Sequence, residues 1–312
     1  MSELMLSICV PVYNHEKYIR ETLDSILMQK TKYSYEVLVG EDASTDNTRK
    51  ILKEYEKNFP NVFQMFYRKE NMRNEPIGNA VDLRSRAKGK YVITLEGDDF
   101  WTDEYKIDKQ IEFLESHPDF LAVAHNCTVV GSDSLPNGEN YRQCEDEIYT
   151  IKHFRRGILP GQLGTWMQRN NAGNRLYDES IILPKILAGD RRLFFAALCN
   201  GKIYCIQKSM SAYRHVTSGG SSYSANYKYD FEKKKAWHLL FIEYAKKINS
   251  KEGLDCAEQL YFNEVTRALI HRKISISQFK ECIKMTSKKF FRMYSFMNQV
   301  LFDKKYEKNH IS

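Results

Sequence analysis

No stretch of the 312-residue chain approaches the roughly 18 consecutive apolar residues that a bilayer-crossing helix needs, which excludes an integral membrane protein of that kind. The first residues, "MSELMLSICVPVY", have no basic n-region and no small-residue cleavage site, so a secretory leader is not expected. There is no G-x-G-x-x-G and no Walker lysine loop, which speaks against a Rossmann dinucleotide site and a P-loop. Cysteine is scarce and odd in number: Cys9, Cys127, Cys144, Cys199, Cys205, Cys256 and Cys282, with no C-x-x-C pair. That pattern excludes a disulfide framework and a zinc ribbon and fits buried free thiols in a reducing, cytoplasmic compartment. Disorder is excluded as well, because 42% of residues are hydrophobic and 28% charged, the balance of an ordinary globular chain.

An excess of either charge is missing from most of the chain, and the basic excess is concentrated at its end. Residues 1–220 carry 29 Lys/Arg and 30 Asp/Glu, and residues 221–264 seven of each. Residues 265–312 hold eleven basic and three acidic side chains, so the whole net charge of +7 is accounted for there. The end, "FKECIKMTSKKFFRMYSFMNQVLFDKKYEK", interleaves those cations with Phe, Met and Tyr. This suits a helix lying on an anionic membrane surface, on the inner face of the cell membrane. A helical pair with a solvated basic face, or a dimer interface, would read the same way. No nucleic-acid motif accompanies the charge.

What is present in the first 130 residues is alternation. "LSICVPV" (6–12), "YEVLVGE" (35–41), "VFQMFYR" (62–68) and "KYVITLE" (90–96) read as strands, with "EKYIRETLDSILMQK", "NTRKILKEYEKNF" and "TDEYKIDKQIEFLESHP" as helices between and after them. Asp46 or Asn47 is expected to cap the second helix, and Thr102 or Asp103 the third. Such alternation predicts an α/β fold with a mainly parallel sheet. Residues 131–178 lose periodicity, apart from "GTWMQRN" (164–170) as one strand. Order returns with "DRRLFFAALCNG" as a helix closed by Gly201, "KIYCI" as a strand and "SAYRHVTSGGSS" as a loop; beyond 226 only helical patterns follow. The expected division is a sheet domain over 1–220 and a helical region over 221–312, basic from 265 on.

Open α/β sheets bind ligands outside the carboxyl ends of their strands. Three polar motifs fall there: "PVYN", "EDASTD" and "EGDD". The last places Glu96, Asp98 and Asp99 side by side at the end of an apolar strand, a costly arrangement unless a cation sits on them. Hard divalent ions take one or two carboxylates together with phosphate oxygens, so a metal–diphosphate site is the natural reading. An acidic turn leading into a helix cap is the plain alternative.

The segments "VPVYNHEKYIRETLDSILMQ", "VGEDASTDNT", "RAKGKYVITLEGDDFW" and "GDRRLFFAALCNGKIYCIQKSMSAYR" closely resemble the family 2 glycosyltransferases of GT-A fold, over roughly residues 5–220. They look most like the bacterial enzymes that extend capsular and other cell-surface polysaccharides. The resemblance implies transfer of a single sugar from a nucleotide donor, expected to be UDP-linked, to a glycan or lipid-linked acceptor, with inversion and with Mn²⁺ or Mg²⁺. It makes Glu96-Gly97-Asp98 the counterpart of the family's D-x-D, with Asp98 the metal ligand, Asp99 a further candidate, and Glu96 a departure from the usual Asp. Gly97 would let the backbone approach the nucleotide. Asp42 would read the base, and Pro11, Val12 and Tyr13 would hold it. Asp190 would be the general base, with Asp178 and Glu179 in reserve. His215 could join the metal shell, Trp166 could stack on the acceptor, and Arg84 and Arg86 could meet phosphate. A sugar-nucleotide pyrophosphorylase is disfavoured because its glycine-rich first loop is absent from "PVYNHEKY". A nucleotide- or membrane-surface-binding protein without turnover is the non-enzymatic alternative.

Overall fold

The computed structural model describes residues 3–74, 78–170, 189–216 and 229–306. In chain order the elements are β1 (Leu6–Val12), α1 (Ile19–Leu27), β2 (Tyr35–Glu41), α2 (Thr48–Asn58), β3 (Phe63–Tyr67), α3 (Asn79–Arg86), β4 (Tyr91–Thr94) and β5 (Phe100–Trp101). They continue with α4 (Lys106–Ser116), β6 (Phe120–Val130), β7 (Ile148–Tyr149), α5 (Ile151–Arg155), β8 (Met167–Arg169), α6 (Gly189–Asn200) and β9 (Lys202–Arg214). Four helices close the described chain: α7 (Phe231–Lys247), α8 (Lys251–Ile270), α9 (Ile276–Cys282) and α10 (Lys289–Tyr306).

Two compact units emerge, and they do not follow a single cut at residue 220. The first draws on Met1–Tyr149, Pro160–Asn174 and Lys202–Tyr227; the second on Thr150–Leu159, Arg175–Gly201 and Lys228–Ser312. Helices α5 and α6 therefore group with the C-terminal helices. The expected boundary motif around "TSGGSSYS" lies outside the described residues, as do Asp178 and Glu179.

In the first unit the strands form one sheet in the order β3-β2-β1-β4-β8-β6-β9-β5, with β7 on the flank of β9. Strands β1 to β4 are mutually parallel, as expected. Beyond β4 the pattern changes: β8 runs antiparallel to both β4 and β6, and β6 pairs with β9 in parallel. The sheet is thus mainly parallel, as expected, and the antiparallel members β5, β7 and β8 are short strands of two or three residues.

The helices cover it because their apolar residues recur every three to four positions. Ile19, Thr22, Leu23 and Ile26 of α1, and Ile107, Gln110, Ile111 and Leu114 of α4, are the buried faces. They pack with Ile8, Val10, Val37, Val39 and Ile93 in one hydrophobic core. The expected cap position is met in α2 and missed in α4. The N-cap of α4 is Tyr105, with Asp103 accepting its N–H at 2.9 Å from outside the helix. Asn47 is the N-cap of α2 but makes no side-chain cap bond; Asp46 Oδ1 instead takes the Thr48 N–H at 2.9 Å.

The second unit is helical. Phe195 and Phe241 stack at 4.2 Å, with Phe154 and Tyr244 at their edges. Buried Arg292 ties α10 to α8 by donating to Glu258 at 2.6 Å and to the Asp255 carbonyl at 3.0 Å. All seven cysteines are free thiols, six of them buried. No helix among the described residues is long and apolar enough to cross a membrane.

Candidate active site

Order β3-β2-β1-β4 means the chain builds outward from β1 to β3 and then returns to the other side of β1 with β4. The reversal lies between β1 and β4, the place where open parallel sheets bind nucleotides at their carboxyl ends. Both candidate motifs stand there. The Gly97 N–H donates to the Pro11 carbonyl at 3.2 Å, so the acidic turn after β4 leans on the "PVYN" turn after β1.

"PVYN" is in turn cross-tied to the loop after β2. Asn14, in the left-handed region (φ 57°), accepts the Thr45 N–H at 2.8 Å and donates its own N–H to Ser44 at 3.0 Å. The His15 N–H reaches Thr48 Oγ1 at 2.9 Å, the Glu16 N–H reaches Asp46 Oδ2 at 3.1 Å, and Glu16 accepts from Asn47. Burial would raise the Asp46 carboxyl, but these backbone and hydroxyl donors hold it below the usual range. Asp46 is therefore a bracket between two loops. Asp42 belongs to the same assembly: its N–H donates to the Val12 carbonyl at 2.9 Å and its Oδ1 accepts the Met72 N–H at 2.8 Å. Tyr13 and Pro11 are half-buried beside it and Val12 is buried.

Within the acidic turn the three carboxylates have different surroundings. The Asp98 side chain is 29% exposed, with His15 Nε2 3.8 Å from its Oδ2. Glu96 is half-buried. Asp99 is buried and faces the protein: Gln162 donates to Oδ2 at 2.5 Å and the Arg214 N–H to Oδ1 at 2.8 Å. Burial, then the charges of Asp98 and Glu96, push its carboxyl well above the ordinary range, against the pull of Arg214. With both oxygens turned to protein donors, Asp99 holds the turn and is not placed as a metal ligand.

The arginine of "AYR" fixes the same turn from the other side. Arg214 donates to the Asp98 carbonyl at 2.9 Å, the Gly131 carbonyl at 2.7 Å, Ser134 at 3.0 Å and Glu21 at 2.6 Å. Its guanidinium lies 4.2 Å from the Tyr18 ring centroid. Removing it leaves buried carbonyls without donors. Arg214→Ala is expected to lower stability by about 2–4 kcal/mol and Arg214→Lys to recover only part of that. Urea unfolding measures the loss; a stability within error of the parent would show that the network does not hold the turn.

Several expectations are corrected here. The space that Gly97 leaves is filled by protein: a Cβ there would lie 2.7 Å from His15 Nδ1 and 3.1 Å from Val12 Cγ2. Trp166 is fully buried and donates to Gln168 at 2.7 Å, so its indole is core and is not offered to an acceptor sugar. Arg84 reaches Thr94 on β4 at 2.7 Å, and Arg86 pairs with Asp82 at 2.8 Å, so both serve the scaffold. The "SAYR" segment is the end of β9, not loop. His215 follows directly, its Nδ1 2.7 Å from Glu139 and its ring beside Tyr213. His15, Arg214 and Gln162 were not legible as site residues. A histidine directly after the "PVYN" turn was the one available signal.

Asp190 belongs to the second unit, in the first turn of α6. Its Oδ1 accepts the Arg191 N–H at 2.6 Å, and burial raises its carboxyl above the usual range.

Among the described residues no group of three or more His, Cys, Asp or Glu side chains is placed to hold a metal alone. A cation bound mainly by phosphate does not require one. A hard ion needs one or two protein carboxylates beside the phosphates, and the partly exposed Asp98 at the switch point fits that donor set.

Sheet order, switch-point site and flanking helices define a GT-A fold. The glycosyl transferase family 2 model matches residues 7–180, more than half of the chain, and the protein belongs to that family. An uncharacterized protein of Mycobacterium tuberculosis is 31% identical over 219 residues, 69% of this chain and 60% of its own. A Bacillus subtilis protein provisionally named as the teichuronic acid biosynthesis glycosyltransferase TuaG is 37% identical over 113 residues, 35% of this chain and 42% of that protein. The chain thus spans only about 60% of the length of the curated relatives it matches most extensively. Among solved structures, S. aureus TarS 1-349 in complex with UDP-GlcNAc superposes with a TM-score of 0.64 at 18% identity, covering 95% of this chain and 81% of that one, a likeness of fold.

Proposed function

We propose that the protein is a metal-dependent, inverting glycosyltransferase that moves one sugar from a UDP-sugar to a hydroxyl of a glycan or lipid-linked acceptor in cell-surface polysaccharide synthesis. The observation that carries this reading is the partly exposed carboxylate of Asp98 on a turn braced against "PVYN" at the β1/β4 switch point. Asp42 and the Pro11–Tyr13 turn would hold the base and ribose, with Glu96 beside them. A bound Mg²⁺ or Mn²⁺ would neutralise charge on the departing diphosphate. Asp190 accepts the proton of the acceptor hydroxyl, whose oxygen bonds to the anomeric carbon as the bond from that carbon to the phosphate oxygen breaks. The electron pair leaves with UDP. The raised carboxyl of Asp190 suits a general base better than an ordinary surface aspartate.

Nucleotide release from a panel of UDP-, GDP- and TDP-sugars, with Mn²⁺ or with EDTA and with acceptor glycans present, tests the reading. Release from a UDP-sugar that EDTA stops is expected. Release without metal, or from GDP- or TDP-sugars alone, would overturn it.

Peripheral membrane contact through 265–312 belongs to the same proposal. Helix α10 buries Arg292 and Phe296, while on its opposite face Phe291, Tyr294 and Met297 are 70%, 65% and 59% exposed. Lys288 and Lys289 at its start are also exposed. Sedimentation with phosphatidylglycerol vesicles is expected, with little on phosphatidylcholine, and the Phe291→Ser/Tyr294→Ser variant should stay in the supernatant. Equal recovery of parent and variant would count against this contact.

A further inference from the structure

The acidic turn after β4 is fixed through its backbone, whereas the Asp98 carboxylate is not. The Asp98 carbonyl takes the Arg214 guanidinium at 2.9 Å, and the Asp99 N–H closes on the Glu96 carbonyl at 3.0 Å. No donor among the described residues is hydrogen-bonded to the Asp98 carboxylate. The side chain standing against it is His15, whose Nε2 lies 3.8 Å from Oδ2. A carboxylate that takes up a cation loses conformational freedom, and outer partners that hold a ligand in place reduce that cost.

His15 is itself held. Its N–H donates to Thr48 Oγ1 at 2.9 Å, and its carbonyl accepts the N–H groups of Tyr18 and Ile19 at 3.0 and 2.9 Å, at the start of α1. The imidazole is 15% exposed and lies against Gly97, where a Cβ would be 2.7 Å from Nδ1. The glycine of the acidic turn thus makes room for this ring. Nδ1 is buried and has no hydrogen-bond partner. A ring proton on Nδ1 would meet no acceptor, whereas Nε2 faces an anion, so the proton belongs on Nε2. The ring then turns its lone pair into the protein and its donor to Asp98, and His15 is not placed as a metal ligand itself.

We propose that His15 is the positioning residue of the Asp98 carboxylate: its Nε2–H takes Oδ2 and leaves Oδ1 for the cation, on a seat that the missing Cβ of Gly97 provides. At 3.8 Å the contact is longer than a hydrogen bond, and the partly exposed Asp98 side chain closes it on taking up the ion. This rests on the reading of Asp98 as the metal ligand.

The test is calorimetric titration of the full chain with UDP, in EDTA and at a series of Mn²⁺ concentrations, which needs no turnover. His15→Leu, a side chain of similar size without the donor, should raise the Mn²⁺ concentration that gives half-maximal UDP binding by about tenfold to a hundredfold. UDP binding in EDTA should stay near the parent's. His15→Gln, whose amide nitrogen can stand where Nε2 stands, should recover most of the Mn²⁺ response. A role confined to packing gives the reverse order, because Leu suits the apolar seat better than Gln. Gly97→Ala, which drives a methyl group into the ring, should reproduce the Mn²⁺ defect and is the further variant should His15→Leu fail to fold by circular dichroism. A folded His15→Leu with the parent's Mn²⁺ dependence would overturn the proposal, as would His15→Gln responding to Mn²⁺ no better than His15→Leu. Asp98→Ala in the same series separates the two claims. Mn²⁺ dependence lost there but unchanged in His15→Leu removes the positioning alone. Mn²⁺ dependence that survives Asp98→Ala, or is absent from the parent, removes the metal-ligand reading and the positioning with it.

Discussion

Asp98→Ala is expected to abolish metal-linked UDP binding and to cut donor turnover by about a thousandfold or more. The partial exposure of the side chain makes this a functional loss and not a folding one. Asp98 is partly exposed, His15 is 3.8 Å away, and the bond that anchors the turn, from the Arg214 guanidinium to the Asp98 carbonyl, does not involve the Asp98 side chain. Stability should therefore stay within about 1 kcal/mol of the parent. Asp99→Ala provides the contrast. It strands the Gln162 amide and the Arg214 N–H in the interior, so activity should fall together with stability, by about 2 kcal/mol or more. Titration of UDP with and without Mn²⁺, alongside urea unfolding, separates the two. If Asp98→Ala still bound UDP in a Mn²⁺-dependent way, the switch-point carboxylate would not be the metal ligand.

Asp190→Asn is expected to lower the rate of transfer by about a hundredfold to ten-thousandfold while UDP binding is kept. The amide oxygen can still accept the Arg191 N–H, so the first turn of α6 should survive the change. A pH profile adds a second readout. Burial favours the protonated form of Asp190 and so raises its carboxyl. A base must be deprotonated to act, so transfer should decline on the acid side, with a midpoint above the usual aspartate range of about 4. The Asn variant should lose that limb. Unchanged kcat in Asp190→Asn, or an acid limb at the same pH in both proteins, would remove the residue from the base role.

Much of the first unit was legible because its parallel strands are short β-branched runs, each bounded by a polar motif. β1 and β2 fall on the residues the sequence indicates, and β3 and β4 differ only at their ends. β6 was not legible. Its apolar run is broken by His125 and Asn126, where the pairing with β9 shifts register, and a buried histidine looks from sequence like a loop residue. β9 was cut short for a related reason: Gln207, Lys208 and Ser209 are exposed in mid-strand and read as its end. The site divides the same way. Motifs carried by consecutive residues could be found. Arg214 could not, since its partners Glu21, Asp98, Gly131 and Ser134 meet only once the strands are in register. Trp166 misled because an indole in a short strand is equally at home in a core or on a sugar, and only burial decides.

The ties between the "PVYN" turn and the loop after β2 also determine which positions can change. Three of them join a backbone group on one loop to a side chain on the other: Asn14 to Thr45 N–H, Thr48 to His15 N–H, and Asp46 to Glu16 N–H. The backbone partner is always present, so these ties constrain one residue each, and Thr45 and Glu16 are not constrained through their own side chains by these three bonds. Glu16 and Asn47 differ, because they also meet side chain to side chain at 2.8 Å. As the chain diverges, positions 14, 46 and 48 should resist replacement singly, whereas 16 and 47 should change together. Drift in this clamp is thus channelled into the Glu16–Asn47 pair and into Thr45, whose hydroxyl also donates to Asn14 Oδ1 at 3.3 Å and so follows position 14.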